Sequence, residues 1–216
     1  MIMVIMKRIL CFGDSNTWGY IPNSDAERYP TSIRYPRVLA SKLGEEYEVI
    51  EEGLPGRTLM CDNYKELVGN RNGKLSFGQV IYTHLPLDYI LIMLGTNDLK
   101  NSYHKTAKEL TIVLENDYLS RIKKKLNGKI KNNPKIIIVA PSIIKEGDNK
   151  FDAASIKEST LFNREYGEIA IRNDCLFIDN QGLETGSDGV HLTKESHLLL
   201  AAKIFQTIKD YETQDF

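Results

Sequence analysis

The chain has 216 residues, 42% hydrophobic and 26% charged, with 28 basic and 29 acidic residues for a net charge of −1. That length suits one globular domain (1–216) with a core that needs no disulfide or metal support, and the balanced charge gives no basic excess for nucleic acid or an anionic membrane. Cys11, Cys61 and Cys175 are odd in number and lack CxxC spacing, which argues against a disulfide framework or a zinc cluster.

In chain order, the opening MIMVIM is too short to span a bilayer, and its basic pair Lys7-Arg8 follows the apolar residues instead of preceding them. A cytoplasmic protein that does not enter the membrane is the expectation. Arg8–Phe12 reads as a first strand, residues 32–43 as a helix stopped by Gly44, and Tyr47–Glu51 as a second strand. Leu75–His84 reads as a helix, Tyr89–Leu94 as a third strand, and Thr106–Leu126 as a long amphipathic helix. Lys135–Ala140 is a fourth strand, Phe151–Asn173 carries a helix, Cys175–Ile178 is a fifth strand, and Thr193–Tyr211 is a last helix. The lysine-rich run near residues 121–131 reads as a solvated face. Residues 20–31, 60–74 and 141–152 are irregular and read as rim loops.

Strands made of continuous Val, Ile and Leu are buried on both faces, the mark of a parallel sheet covered by helices. The alternation predicts an α/β fold, a three-layer α/β/α sandwich around a five-stranded parallel sheet. Chemistry in such sheets gathers beyond the carboxyl ends of the strands.

After the first strand comes Gly13-Asp14-Ser15-Asn16, where Ser15 is either a helix N-cap or a nucleophile. After the second comes Gly53-Leu54-Pro55-Gly56-Arg57-Thr58, a plain turn or a place where a backbone N–H meets a ligand. After the third comes LGTND, in which the Asn97 amide could reach an oxyanion and Asp98 could hold the loop. After the fifth comes Asp188-Gly189-Val190-His191, with an acid and an imidazole three apart. That spacing can bring the carboxylate to Nδ1–H and leave Nε2 as a base. Each stretch alone is adequately explained as a turn. Together they form the parts list for acyl transfer at one end of a sheet. His84, His104 and His197 lack an acid at comparable spacing after a strand. None of the serines lies in the G-x-S-x-G elbow of an α/β-hydrolase.

KRILCFGDSNTWGY, VIEEGLPGRT, THLPLDYILIMLGTND and DGVHLT spread over nearly the whole chain. In that order they resemble the blocks of the SGNH hydrolases, or GDSL esterase/lipase family, and most nearly its arylesterase and acyltransferase branch. The resemblance implies a flavodoxin-like fold and a serine esterase acting on small acyl or aryl esters, with acyl transfer as a second outcome. A carbohydrate O-deacetylase, or a lysophospholipase or thioesterase, on the same triad is the alternative; an anion-binding α/β module without catalysis is the remote one. By the resemblance Ser15 is the nucleophile, His191 the base and Asp188 its orienting acid. The backbone of Ser15 and Gly56 and the amide of Asn97 are the oxyanion donors, and Asp14 and Asp98 are supports. It implies no cofactor and no metal, a small-molecule ester as partner, and a homo-oligomer. Trp18, Tyr20 and Leu99 are expected at the pocket mouth, and Phe77 in the core. Asn16 stands where the namesake motif has leucine, and residues 59–75 and 141–152 match no family pattern.

Overall fold

The computed structural model describes residues 6–126 and 133–214. Most of the opening apolar run, and the KIK of the lysine-rich stretch, lie outside them. In chain order the elements are β1 (Lys7–Gly13), the single-turn α1 (Ser15–Trp18), α2 (Tyr35–Leu43), β2 (Tyr47–Gly53), β3 (Tyr64–Lys65), β4 (Gly69–Asn70) and α3 (Gly73–His84). They continue with β5 (Tyr89–Met93), a 3₁₀ turn (Thr96–Leu99), α4 (Ala107–Val113), a π turn (Leu114–Leu119) and α5 (Ser120–Leu126). β6 (Lys135–Val139), α6 (Ala153–Ser159), α7 (Phe162–Arg172), β7 (Leu176–Ile178) and α8 (Lys194–Gln214) complete the chain.

The main sheet has five parallel strands in the order β2-β1-β5-β6-β7. This is the doubly wound order whose connections reverse beside its first strand, which opens a crevice at the carboxyl ends there. Alternation along each strand builds the two faces. Leu10 and Phe12 of β1, Ile90 and Ile92 of β5, and Ile136 and Ile138 of β6 face one helical layer, with Phe77, Leu110, Leu114, Phe162 and Tyr166. Ile9 and Cys11, Leu91 and Met93, and Ile137 and Val139 face the other, against Tyr35 and Leu39 of α2 and Leu200 and Ile204 of α8. Both faces are dry, which is why these strands carry no alternating polar residues. Phe77 is core, as expected, 1% exposed and edge-on to Phe12 at 5.0 Å.

Three elements depart from the sequence reading. The helix read over residues 32–43, α2, begins at Tyr35 and not at residue 32. Pro36 lacks an N–H and is tolerated only in a first turn, so an earlier start would leave it where a donor is required. The span 151–173 holds two helices. Ser159 and Thr160 turn their hydroxyls back on the carbonyls of Ile156 and Lys157, each at 2.7 Å, and Ser159 Oγ also accepts the N–H of Ile144 at 2.9 Å. Such side-chain bonds compete with the helical ladder. Residues 60–74 are not simply loop, because β3 and β4 form a small antiparallel hairpin there.

No helix among the described residues is long and apolar enough to cross a membrane.

Candidate active site

β1 ends at Gly13, packed so closely that a Cβ there would lie 2.8 Å from the Thr17 Cβ and 2.9 Å from the Met93 carbonyl. The chain then turns at once into α1. Asp14 is its N-cap, accepting the Asn16 N–H at 2.9 Å. Ser15 is not the cap but the first helical residue, where an N–H has no intrahelical acceptor.

Ser15 Oγ stands 3.0 Å from His191 Nε2, and His191 Nδ1 stands 2.8 Å from Asp188 Oδ2. Asp188 Oδ1 accepts the N–H groups of Val190 and His191, both at 3.0 Å. Oδ2 also accepts the N–H of Asn23 at 3.2 Å. Burial opposes the Asp188 charge, yet these hydrogen bonds, the imidazole first, outweigh it and hold the carboxyl well below the usual carboxylate range. The acid is ionised and fixes the ring so that Nδ1 carries the proton and Nε2 faces the serine.

Gly56 has φ of +78°, a conformation that favours glycine, and its N–H has no acceptor among the described residues. Asn97 Nδ2 donates to the Arg57 carbonyl at 3.1 Å and lies 3.5 Å from Asp14 Oδ2. Asp98 is fully buried, and its carboxylate accepts three consecutive N–H groups, Leu59 at 2.6 Å, Met60 at 2.9 Å and Cys61 at 3.1 Å. It thereby ties the segment after Gly56 to the turn that presents Asn97.

Ser15, Gly56, Asn97 and His191 open into one pocket of about 400 Å³ with Trp18 and Tyr20. The Tyr20 ring stacks on the His191 imidazole, with centroids 4.3 Å apart and planes 23° apart. Leu99 does not line this pocket. It is 2% exposed and belongs to the core. The reason is the 3₁₀ turn: three residues per turn place Asn97 and Lys100 on one side and send Leu99 inward. Lys100 lines the pocket instead.

Asn16 carries more than the sequence suggested. Its Oδ1 accepts the Leu192 N–H at 2.8 Å, and its Nδ2 donates to the Val190 carbonyl at 3.3 Å. One buried amide thus brackets His191 on both sides. Nothing in local spacing signals this, because the partners are 174 and 176 residues away. His84 does have an acid, Glu52 Oε1 at 2.9 Å, that spacing along the chain could not reveal. No hydroxyl completes a relay there among the described residues.

Burial pushes the thiol of Cys61 up to about 12 and that of Cys175 up to about 11, so neither is a thiolate at neutral pH. All three cysteines are free. Among the described residues, no three His, Cys, Asp or Glu side chains converge as a metal set.

The model of the GDSL-like lipase/acylhydrolase family matches residues 11–199. No curated protein matches the chain. Solved structures do. A carbohydrate acetylesterase family member from Sinorhizobium meliloti is 33% identical, with TM-score 0.85 over 94% of this chain and 98% of that one. The native aryl esterase of M. smegmatis is 31% identical, with TM-score 0.85 over 94% of this chain and 99% of that one. The match takes in the strand ends that carry Ser15, Gly56, Asn97 and His191, and the chain belongs to the GDSL-like lipase/acylhydrolase family of carboxylic ester hydrolases.

Proposed function

We propose that the protein is a serine esterase cleaving small acyl or aryl esters through an acyl-serine intermediate. The observation that carries this reading is the unbroken relay from Ser15 Oγ through the His191 ring to Asp188, with links of 3.0 and 2.8 Å. His191 Nε2 takes the Ser15 proton as Oγ attacks the ester carbonyl. The developing oxyanion is held by the N–H groups of Ser15 and Gly56 and by the Asn97 amide. His191 then passes its proton to the leaving alcohol, and water attacks the acyl-enzyme with His191 again as base. A second alcohol in place of water gives acyl transfer. Asp188 never takes the proton; it keeps the ring oriented and stabilises the imidazolium.

The likeness to a carbohydrate acetylesterase supports O-deacetylation of a sugar as a second reading on the same residues. Both readings share one test. A fluorophosphonate probe should label Ser15 in the native protein and not in Ser15→Ala, and aryl acetate turnover should fall at least about a thousandfold in that variant. Near-parental turnover in Ser15→Ala would remove the nucleophile assignment. Acetate release from an acetylated sugar, set beside release from an aryl acetate, separates the two substrates.

A further inference from the structure

Two segments without a family pattern and the residue that ends the 3₁₀ turn converge on the pocket beside Ser15. The β3–β4 hairpin and the residue following it bring Lys65 and Arg71, the 3₁₀ turn brings Lys100, and the loop before α6 brings Asp148 and Lys150. Four cations and one acid therefore line this wall, in a chain whose net charge is −1. Asp148 is spoken for, paired with Lys150 at 3.1 Å. Lys65, Arg71 and Lys100 have no ion-pair partner among the described residues. By contrast Arg8 pairs with Glu48, Arg34 with Glu51 and Arg172 with Glu115.

Arg71 is held in place without being neutralised. Its guanidinium donates to the carbonyls of Pro55 at 3.0 Å and Asn63 at 3.4 Å and to Asn63 Oδ1 at 2.7 Å. A guanidinium has five N–H donors, so two remain for a ligand. It also lies flat against Gly56, where a Cβ would meet Nη1 at 2.4 Å, so its charge sits within one residue's width of an oxyanion donor. Lys100 is half-buried, and its ammonium makes no hydrogen bond among the described residues. Burial, then the nearby Arg71 and Lys150, lower its affinity for the proton, as expected of a cation waiting for a counter-charge.

We propose that this wall is an anion subsite: the preferred ester carries a carboxylate or phosphate, received by Arg71 and Lys100 with Lys65 at the rim. The proposal rests on the esterase reading and names its substrate class. Two cations with no carboxylate of their own favour an anionic ester over a neutral one of the same shape, and a planar fork such as Arg71 suits a two-oxygen anion.

The charge can sit on either side of the scissile bond, and two matched pairs separate these sources. Ethyl hemisuccinate against ethyl butyrate places it on the acyl side. O-acetylglucuronate against O-acetylglucose places it on the alcohol side. In at least one pair the anionic ester should have kcat/KM higher by about tenfold at low salt. That ratio should shrink toward unity in 0.5 M salt and in Lys100→Gln or Arg71→Gln. A binding readout that does not depend on turnover comes from Trp18, the one tryptophan of the chain, which lines the same pocket. In Ser15→Ala its fluorescence should titrate with succinate, glucuronate or inorganic phosphate, and Lys100→Gln should weaken that binding about tenfold. Neutral esters turned over without preference in either pair, together with a flat Trp18 signal, would overturn the subsite and leave the esterase standing. Failure of Ser15 to label would overturn the esterase reading, and the Trp18 titration would still decide the subsite.

Discussion

Asn16 shows how much one buried side chain can hold. It follows the proposed nucleophile directly, and its amide satisfies the Val190 carbonyl and the Leu192 N–H on the far side of the chain. His191 lies between those two groups, so the distance from its ring to Ser15 is set by a side chain one residue from the serine. Asn16→Leu would supply the residue of the namesake motif and similar bulk but no polar atom. Two buried backbone groups would then lose their partner, at about 1–3 kcal/mol each. The imidazole would lose its clamp, and a shift of about 1 Å in such a relay costs on the order of 100-fold. The expected result is a kcat lowered by about 10- to 100-fold with KM little changed, and slower fluorophosphonate labelling of Ser15. An unchanged kcat would show that the bonds of Asp188 to Val190 and His191 suffice to place the ring.

At the scale of elements, the turns that carry Gly56 and Asn97 are joined by Asp98. Its three N–H partners lie on the segment after β2, while the carboxylate itself lies on the turn after β5. Asp98→Asn replaces one acceptor oxygen with an amide N–H that would face other N–H groups. The loss of about 2–3 kcal/mol expected for an unpaired buried donor corresponds to a melting temperature lower by roughly 4–12 °C in a chain of this size. A shift under about 1 °C in a thermal melt would show that the segment holds without it. This docking also marks what the sequence could and could not say. The five strands were legible because dry strands repeat Ile, Leu and Val with no polar alternation. The convergence of Ser15, Asn97, Asp188 and His191 was legible because a parallel sheet puts all its strand ends in one place. The hairpin was not, since a two-residue strand leaves no period to read. The break in the 151–173 helix depends on a bond from Ile144 to Ser159, and the inward turn of Leu99 on a 3₁₀ geometry that composition does not distinguish from an α turn. The basic wall was unreadable for a related reason: Lys65, Arg71, Lys100 and Lys150 come from three loops, and each alone resembles a solvated charge.

Across the whole molecule, two buried ionisable groups pull stability in opposite directions with pH. Burial pushes the Asp14 carboxyl up to about 6, and nearby charges and the Asn16 N–H only partly offset it. Burial, then the neighbouring His191, push His197 down to about 3; its Nδ1 accepts the Tyr35 N–H at 3.4 Å, and its ring stacks on Tyr35. Between pH 4 and 6 the folded protein holds a proton on Asp14 that the unfolded chain has released, so Asp14 makes stability fall as pH rises through that window. His197 does the reverse. Over the same window the unfolded chain protonates it and the folded protein does not, so its contribution makes stability rise with pH. Each amounts to about 3 kcal/mol across two pH units, and the two nearly cancel. Removing one should expose the other. Asp14→Asn keeps an acceptor for the Asn16 N–H but no longer titrates, so its stability should drop on acidification from pH 6 to 4 where the native protein stays nearly level. The variant's deficit relative to native protein should therefore be larger at pH 4 than at pH 7, by about 3 kcal/mol, in urea unfolding followed by circular dichroism. A deficit that is the same at both pH values would mean that Asp14 is ionised throughout, held so by the positive charge of Arg57 and the amide of Asn97, and that the slope left by His197 belongs to the native protein as well.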